Sequence, residues 1–196
     1  MNDSLPKLDP PGAGVPLSQR IAMRFFLRPL VAHRAPWEES DARFRKLASR
    51  VEDKLEGLSE ADLGRRVLVP PQAGLEDSSR YWSIAMTLDH VAIVGRQIAY
   101  LLRELDAGRP PAAKADTAKV KPSSDRTVAE SLASFRAFAH EEFPGLFSSL
   151  SKKNERLTFP HPWFGPLRAR GWYWLQATHL HLHAQQIDAI KAALRG

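Results

Sequence analysis

The chain has 196 residues, 43% of them hydrophobic and 26% charged, with a formal net charge of +6 and no cysteine. That length supports one hydrophobic core rather than two, and the lack of cysteine excludes disulfides, thiolate metal ligands and a cysteine nucleophile. No apolar run approaches the roughly eighteen residues of a spanning helix, and the opening MNDSLPKLDPPGAG lacks the basic and apolar regions of a signal peptide, so a cytoplasmic location is expected.

The positive charge raises the question of nucleic acid. Lys and Arg are scattered and interleaved with Asp and Glu, as in EESDARFRKLASRVEDKLE, rather than gathered in one motif. No nucleic-acid partner is therefore expected.

In chain order, residues 1–16 are rich in Pro and Gly and predict an irregular leader. Residues 17–35, in PLSQRIAMRFFLRPLVAHR, predict a short basic amphipathic helix limited by Pro29. Such a helix suits either the protein body, a subunit partner or a membrane surface. The first two are the expectation, and a membrane partner is not.

Residues 36–196 predict an all-α four-helix bundle, with residues 17–35 as an extra N-terminal helix. Phe44, Leu47, Val51, Leu55 and Leu58 share one face of the first bundle helix. Gly57 and LSEADLG end it, and PPQAG at 70–74 marks a second loop. The second bundle helix is predicted over Ser79–Ala107. There Ser83, Met86, His90, Val94, Gln97 and Leu101 fall near one line, so His90 sits on a mostly apolar face. A long Pro/Ala/Lys-rich connection follows. Thr127 and Glu130 have capping-box spacing and open the third helix, whose stripe is Val128, Leu132, Phe135, Ala139, Phe143 and Leu146, with a kink at Pro144. SKKNERLTFPHPWFGPL reads as a loop, and the last helix runs from Arg168 to the C-terminus.

Within that last helix stands HLHLHAQQI, residues 179–187. As a strand it would place all three histidines on one face. Its flanks are helical in composition, and no turn cluster bounds it, so a helix is predicted. On a helix Trp172, Leu175, His179, His183, Gln186 and Ile190 share a direction, while His181 faces away and is expected to be exposed.

Two imidazoles one turn apart can chelate one metal ion. On an apolar face, two uncompensated imidazoles would be costly. His90 is the candidate third ligand, so His90, His179 and His183 form the predicted metal site. The competing reading is that each is a core histidine satisfied by hydrogen bonds. Three histidines would leave a coordination position open for substrate or water. Zn and Ni both suit such ligands.

HPWFGPL, Trp172, WSIAMTLDH and HLHLHAQQI together resemble a subgroup of the DinB-like superfamily of metal-dependent proteins. The resemblance implies a four-helix bundle with one histidine from the second bundle helix and an HxxxH pair, followed by Gln, from the last. His90, His179, His183 and Gln186 occupy those places. It also implies two chemistries: transfer or isomerisation with a low-molecular-weight thiol, or hydrolysis by metal-bound hydroxide. A homodimer is expected on the same analogy.

Hydrolysis wants a nearby general base. Asp89 and Asp188 lie off the histidine faces, leaving Glu141 or Glu142 to approach from the third helix. Thiol activation suits a chain without cysteine. Gln186 is the candidate for orienting a ligand or touching a bound group. His161, in PHPWFG, is a candidate for the site mouth, with a structural loop role beside it. His33 and His140 read as surface residues, and Trp163, Phe164 and Trp172 as packing. The non-enzymatic alternative is a helical binding or dimerisation module, since fold alone does not establish activity.

Overall fold

The structure, a computed structural model, describes residues 6–109, 111, 112, 114–122, 125–151 and 155–195. Residues 1–5 of the predicted leader, four positions of the long connection (110, 113, 123 and 124) and 152–154 of the later loop lie outside them.

The four-helix bundle is formed by α2 (Trp37–Leu55), α4 (Ile84–Asp106), the pair α5 (Val128–Arg136) and α6 (Phe143–Ser149), and α7 (Ala169–Arg195). A short α3 (Glu60–Gly64) follows α2 and begins with a Ser59–Asp62 capping box. Helix α7 packs on both α2 and α4, and α4 packs on α5. The apolar stripes explain this arrangement. Phe44, Val51, Leu88, Leu102, Phe135, Phe143, Leu180 and Ile190 all meet in one core.

The N-terminal helix α1 (Leu17–Ala22) continues as a π-helical stretch over Met23–Ala32, with Pro29 inside it. The sequence predicted that Pro29 would limit the helix. In α geometry its ring would press on the carbonyl four residues earlier. A wider turn relieves that clash, so the chain passes through Pro29 and stops near His33. The same device recurs at Ala137–Glu142, between α5 and α6, just before Pro144. Residues 6–16 hold no helix or strand and are tethered: the Asp9 and Gly12 amides donate to Asp77 and Glu76.

Two short hairpins depart from the purely helical expectation. Strand β1 (Val67–Leu68) pairs antiparallel with β2 (Tyr81–Trp82), so α4 begins at Ile84 rather than Ser79. Ser83 is its N-cap, accepting the Met86 amide at 3.1 Å. Strands β3 (Thr158–His161) and β4 (Gly165–Arg168) form the second hairpin where the sequence read as a loop. Its prolines face each other at Pro160 and Pro166, which a two-stranded ribbon with free edges tolerates.

Candidate metal centre and adjoining cavity

Helix α4 carries His90, and α7 carries His179 and His183 one turn apart. Packing of α4 on α7 brings the three rings together. His179 Nε2 lies 3.2 Å from His90 Nε2 and 3.0 Å from His183 Nε2. All three ligand atoms lie within 4.8 Å of one another, and His90 and His183 are buried.

Hydrogen bonds on the far side of two rings fix their tautomers. His90 Nδ1 donates to the Val120 carbonyl at 2.6 Å. His183 Nδ1 donates to Gln186 Oε1 at 2.7 Å, and the Gln186 amide donates to the Ser79 carbonyl at 2.7 Å. Both rings therefore carry their proton on Nδ1 and turn an Nε2 lone pair inward. His179 can offer one Nε2 proton to one neighbour at a time. Its own Nδ1 is buried without a hydrogen-bond partner among the described residues. A cation at the convergence point would engage all three lone pairs, so this donor set fits a divalent ion.

Electrostatics keep the cluster neutral. Burial holds His90 and His179 well below the usual imidazole range, with the neighbouring imidazoles adding to it, and pushes His183 down to about 4. Neutral imidazole is the ligating form.

The Val120 carbonyl is placed by a second chain of contacts. Buried Glu76 accepts from Lys121 Nζ at 2.6 Å and Thr117 Oγ1 at 2.8 Å, pinning the segment around Val120. Burial pushes the Glu76 carboxyl up, but these partners outweigh it and hold the group below its ordinary range. Trp82 closes the other side, stacked 6.2 Å from the His183 ring and 5.0 Å from His90.

The line of α4 that carries His90 borders a cavity rather than the deepest core. Val94, Gln97 and Leu101 line that cavity with His179, whereas Leu88, Ala92 and Leu102 on another side of the helix are fully buried. The cavity measures about 760 Å³ and is walled by α4, α7, the β3–β4 hairpin and the N-terminal helix. His161 lines it, as do Trp163, Phe164 and Trp172, which the sequence assigned to packing. They do both: the Trp172 indole donates to the Phe159 carbonyl at 3.2 Å while the ring edges the cavity. His161 Nδ1 accepts the Trp163 and Phe164 amides at 3.1 and 3.3 Å, so its proton sits on Nε2. Enclosure of this ring pushes its pKa down to about 3, although the residue keeps some exposure.

The remaining candidates are elsewhere. Glu142 is held by Arg96 at 2.8 Å, Asp89 by Arg126 at 2.8 Å and Asp188 by Lys54 at 2.5 Å, and Glu141 is exposed. None of these four carboxylates joins the histidine cluster. His140 is exposed, as predicted. His33 and His181 are half-buried instead of exposed: His33 lies where the N-terminal helix meets the body, its Nε2 buried and without a hydrogen-bond partner among the described residues. His181 sits on a helix enclosed on nearly all sides over its first half. The carbonyls of Val120 and Ser79 were missed, and no sequence signal marks a main-chain oxygen.

No helix among the described residues is long and apolar enough to cross a membrane. A search of curated proteins finds no match. Among solved structures the chain is similar to TT2238, a four-helix bundle protein, with TM-score 0.54 and 25% identity over 79% of this chain and 98% of that one. It is also similar to the mycothiol-dependent maleylpyruvate isomerase, with TM-score 0.47 and 16% identity over 81% of this chain and 63% of that one. A sequence model of the DinB superfamily matches residues 70–187, a span that holds all three histidines and Gln186. With more than half of its length matched, the chain belongs to the DinB superfamily.

Proposed function

We propose that this protein is a metal-dependent enzyme in which His90, His179 and His183 hold one divalent ion, Zn or Ni, beside the cavity. The observation that carries the reading is the convergence of three Nε2 atoms, two of them with tautomers set by Val120 and Gln186. When bound, such an ion supplies Lewis acidity and lowers the pKa of a coordinated thiol or water. Around it, Gln186 orients the His183 ring, Val120 orients His90, and His161 brings an Nε2–H donor to the cavity wall. His179 alone of the three lines the cavity, which supports an accessible side of the cluster there.

Transfer with a low-molecular-weight thiol is the favoured chemistry over hydrolysis. A hydrolase wants a carboxylate or free histidine to take the proton of water. Here Glu142, Asp89 and Asp188 are committed to cations, Asp116 on the cavity wall accepts the Ala118 amide, Glu141 is exposed, and the His161 Nδ1 is committed to two amides. A chain without cysteine takes its sulfur nucleophile from outside. Association as a homodimer belongs to the same reading and is supported by the apolar outer face of the N-terminal helix, α1 with its π-helical continuation.

Metal content tests the reading. Tag-free protein purified without chelator is measured by elemental mass spectrometry beside His183→Ala and His181→Ala. About one Zn or Ni per chain is expected in wild type and His181→Ala, with loss in His183→Ala. A wild type that neither carries nor takes up either metal rejects the metalloenzyme. Loaded protein is then assayed for thiol consumption and for ester hydrolysis, and hydrolysis without thiol would displace the transfer reading.

A further inference from the structure

We infer that the cavity beside His179 takes a largely apolar small molecule, alkyl or aryl, carrying a single anionic or thiolate head. This deepens the proposed function, because the head is assigned to the histidine cluster.

The walls argue for the body of that ligand. Met23 and Leu27 from the N-terminal helix, Ile98 and Leu101 from α4, and Leu175 and Leu182 from α7 make the aliphatic lining. Phe159, Trp163, Phe164 and Trp172 add aromatic rings from the hairpin and the start of α7. The volume of about 760 Å³ lies within the range of small-molecule sites.

Several polar groups on the wall are already engaged, while Gln97, Tyr100 and Lys114 on its lining are solvent-exposed. Gln19 Oε1 accepts the Gly74 amide at 2.9 Å, and Thr178 Oγ1 donates to the Trp174 carbonyl at 3.2 Å. Arg96 is locked bidentately on Glu142, and Asp116 accepts the Ala118 amide. A polar ligand body would lose water against these apolar walls and gain few partners. His179 of the cluster and His161 are half-buried on the lining, and they set where a head belongs. The N-terminal helix, α1 with its π-helical continuation, supplies the roof: Ala22, Met23 and Leu27 face the cavity, while Leu17, Phe25 and Phe26 face solvent.

The test uses the full chain, metal-free and zinc-loaded, titrated calorimetrically with hexanoate, octanoate and decanoate and with 1-octanol. Affinity is expected to rise about fourfold per methylene in both forms. Zinc is expected to strengthen the carboxylates and leave 1-octanol unchanged. Two roof variants, Leu27→Glu and Ala22→Trp, alter exposed positions and should retain the wild-type circular dichroism. Each is expected to weaken decanoate at least tenfold.

Absence of saturable binding, affinity flat with chain length, or wild-type binding in both roof variants overturns the inference. A chain-length series that is kept while bound zinc has no effect upholds the apolar body and overturns the assignment of the head to the histidine cluster, whereas a chain that takes up no zinc counts against the metal reading.

Discussion

Gln186 and His183 form a hydrogen bond of 2.7 Å in which the direction is dictated from outside the pair. The Gln186 amide is spent on the Ser79 carbonyl, so its oxygen must face the ring and His183 must donate. A glutamine that could flip would not set a tautomer; this one is anchored at both ends.

Gln186→Ala is expected to weaken divalent metal binding by about 10–100-fold, the usual cost of losing a partner behind a ligating imidazole. Competition against a chromogenic chelator reads the affinity directly. Binding as tight as wild type would remove Gln186 from the site.

Acid is expected to destabilise the metal-free protein. His183 and His161 titrate near 4 and 3 when folded, against 6.5 for the ordinary group. Between those values the unfolded chain holds more protons, so their stability contribution is intact above about pH 6.5 and falls away as pH drops toward 4 and then 3. For buried His183 the loss is on the order of 3 kcal/mol. Urea melts at pH 7.5, 6 and 5 should show a falling midpoint, and a flat series would contradict the buried neutral imidazoles.

Gly95 marks the closest approach of α4 to the π-helical turn after α5. A Cβ there would stand 2.0 Å from Phe138 Cζ and 2.5 Å from both Cε atoms. Gly95→Ala should therefore cost about 1–3 kcal/mol despite its better helix propensity. Phe138→Leu should be less damaging in that background than in wild type, a coupling that a double-mutant cycle measures. Additive losses would place the ring elsewhere.

Gln176 is fully buried on α7, and neither of its side-chain polar atoms has a partner among the described residues. Gln176→Met removes an amide that lost its water on folding and fills similar space. Stabilisation of about 1–3 kcal/mol is expected, readable as a higher urea midpoint. A loss of stability would point to an ordered water on the amide.

Outside the roof, Leu17, Phe25, Phe26 and Leu30 are 64, 62, 60 and 55% exposed on one short element. An apolar surface of this kind favours self-association. Sedimentation equilibrium should show a dimer in wild type and a monomer in Phe25→Glu/Phe26→Glu, whereas a monomeric wild type removes the pairing.

The helices and the cluster were legible because their signals are periodic. Phe44, Leu47, Val51 and Leu55 are buried together as their spacing requires, and His179 and His183 meet because one turn separates them. The β3–β4 hairpin was read as a loop because Pro160 and Pro166 outweigh a weak signal, the alternation that buries Phe159 opposite Leu167. The Ser79–Ala107 boundary moved because Tyr81 and Trp82 pair with Leu68 and Val67, a match across the intervening loop that local pattern does not encode. The cavity was invisible for a deeper reason. It is built where four elements fail to fill space, and no single residue announces a gap.

The roof and the imidazoles have separate origins along the chain. His90, His179, His183, Gln186, Glu76 and Val120 all fall inside the stretch shared with the superfamily, and the roof residues 19–27 fall before it. Variation in the first thirty-odd residues can thus retune which guest is admitted while the nitrogen cluster drifts not at all. Replacing that segment becomes a route to new selectivity that leaves the histidines untouched.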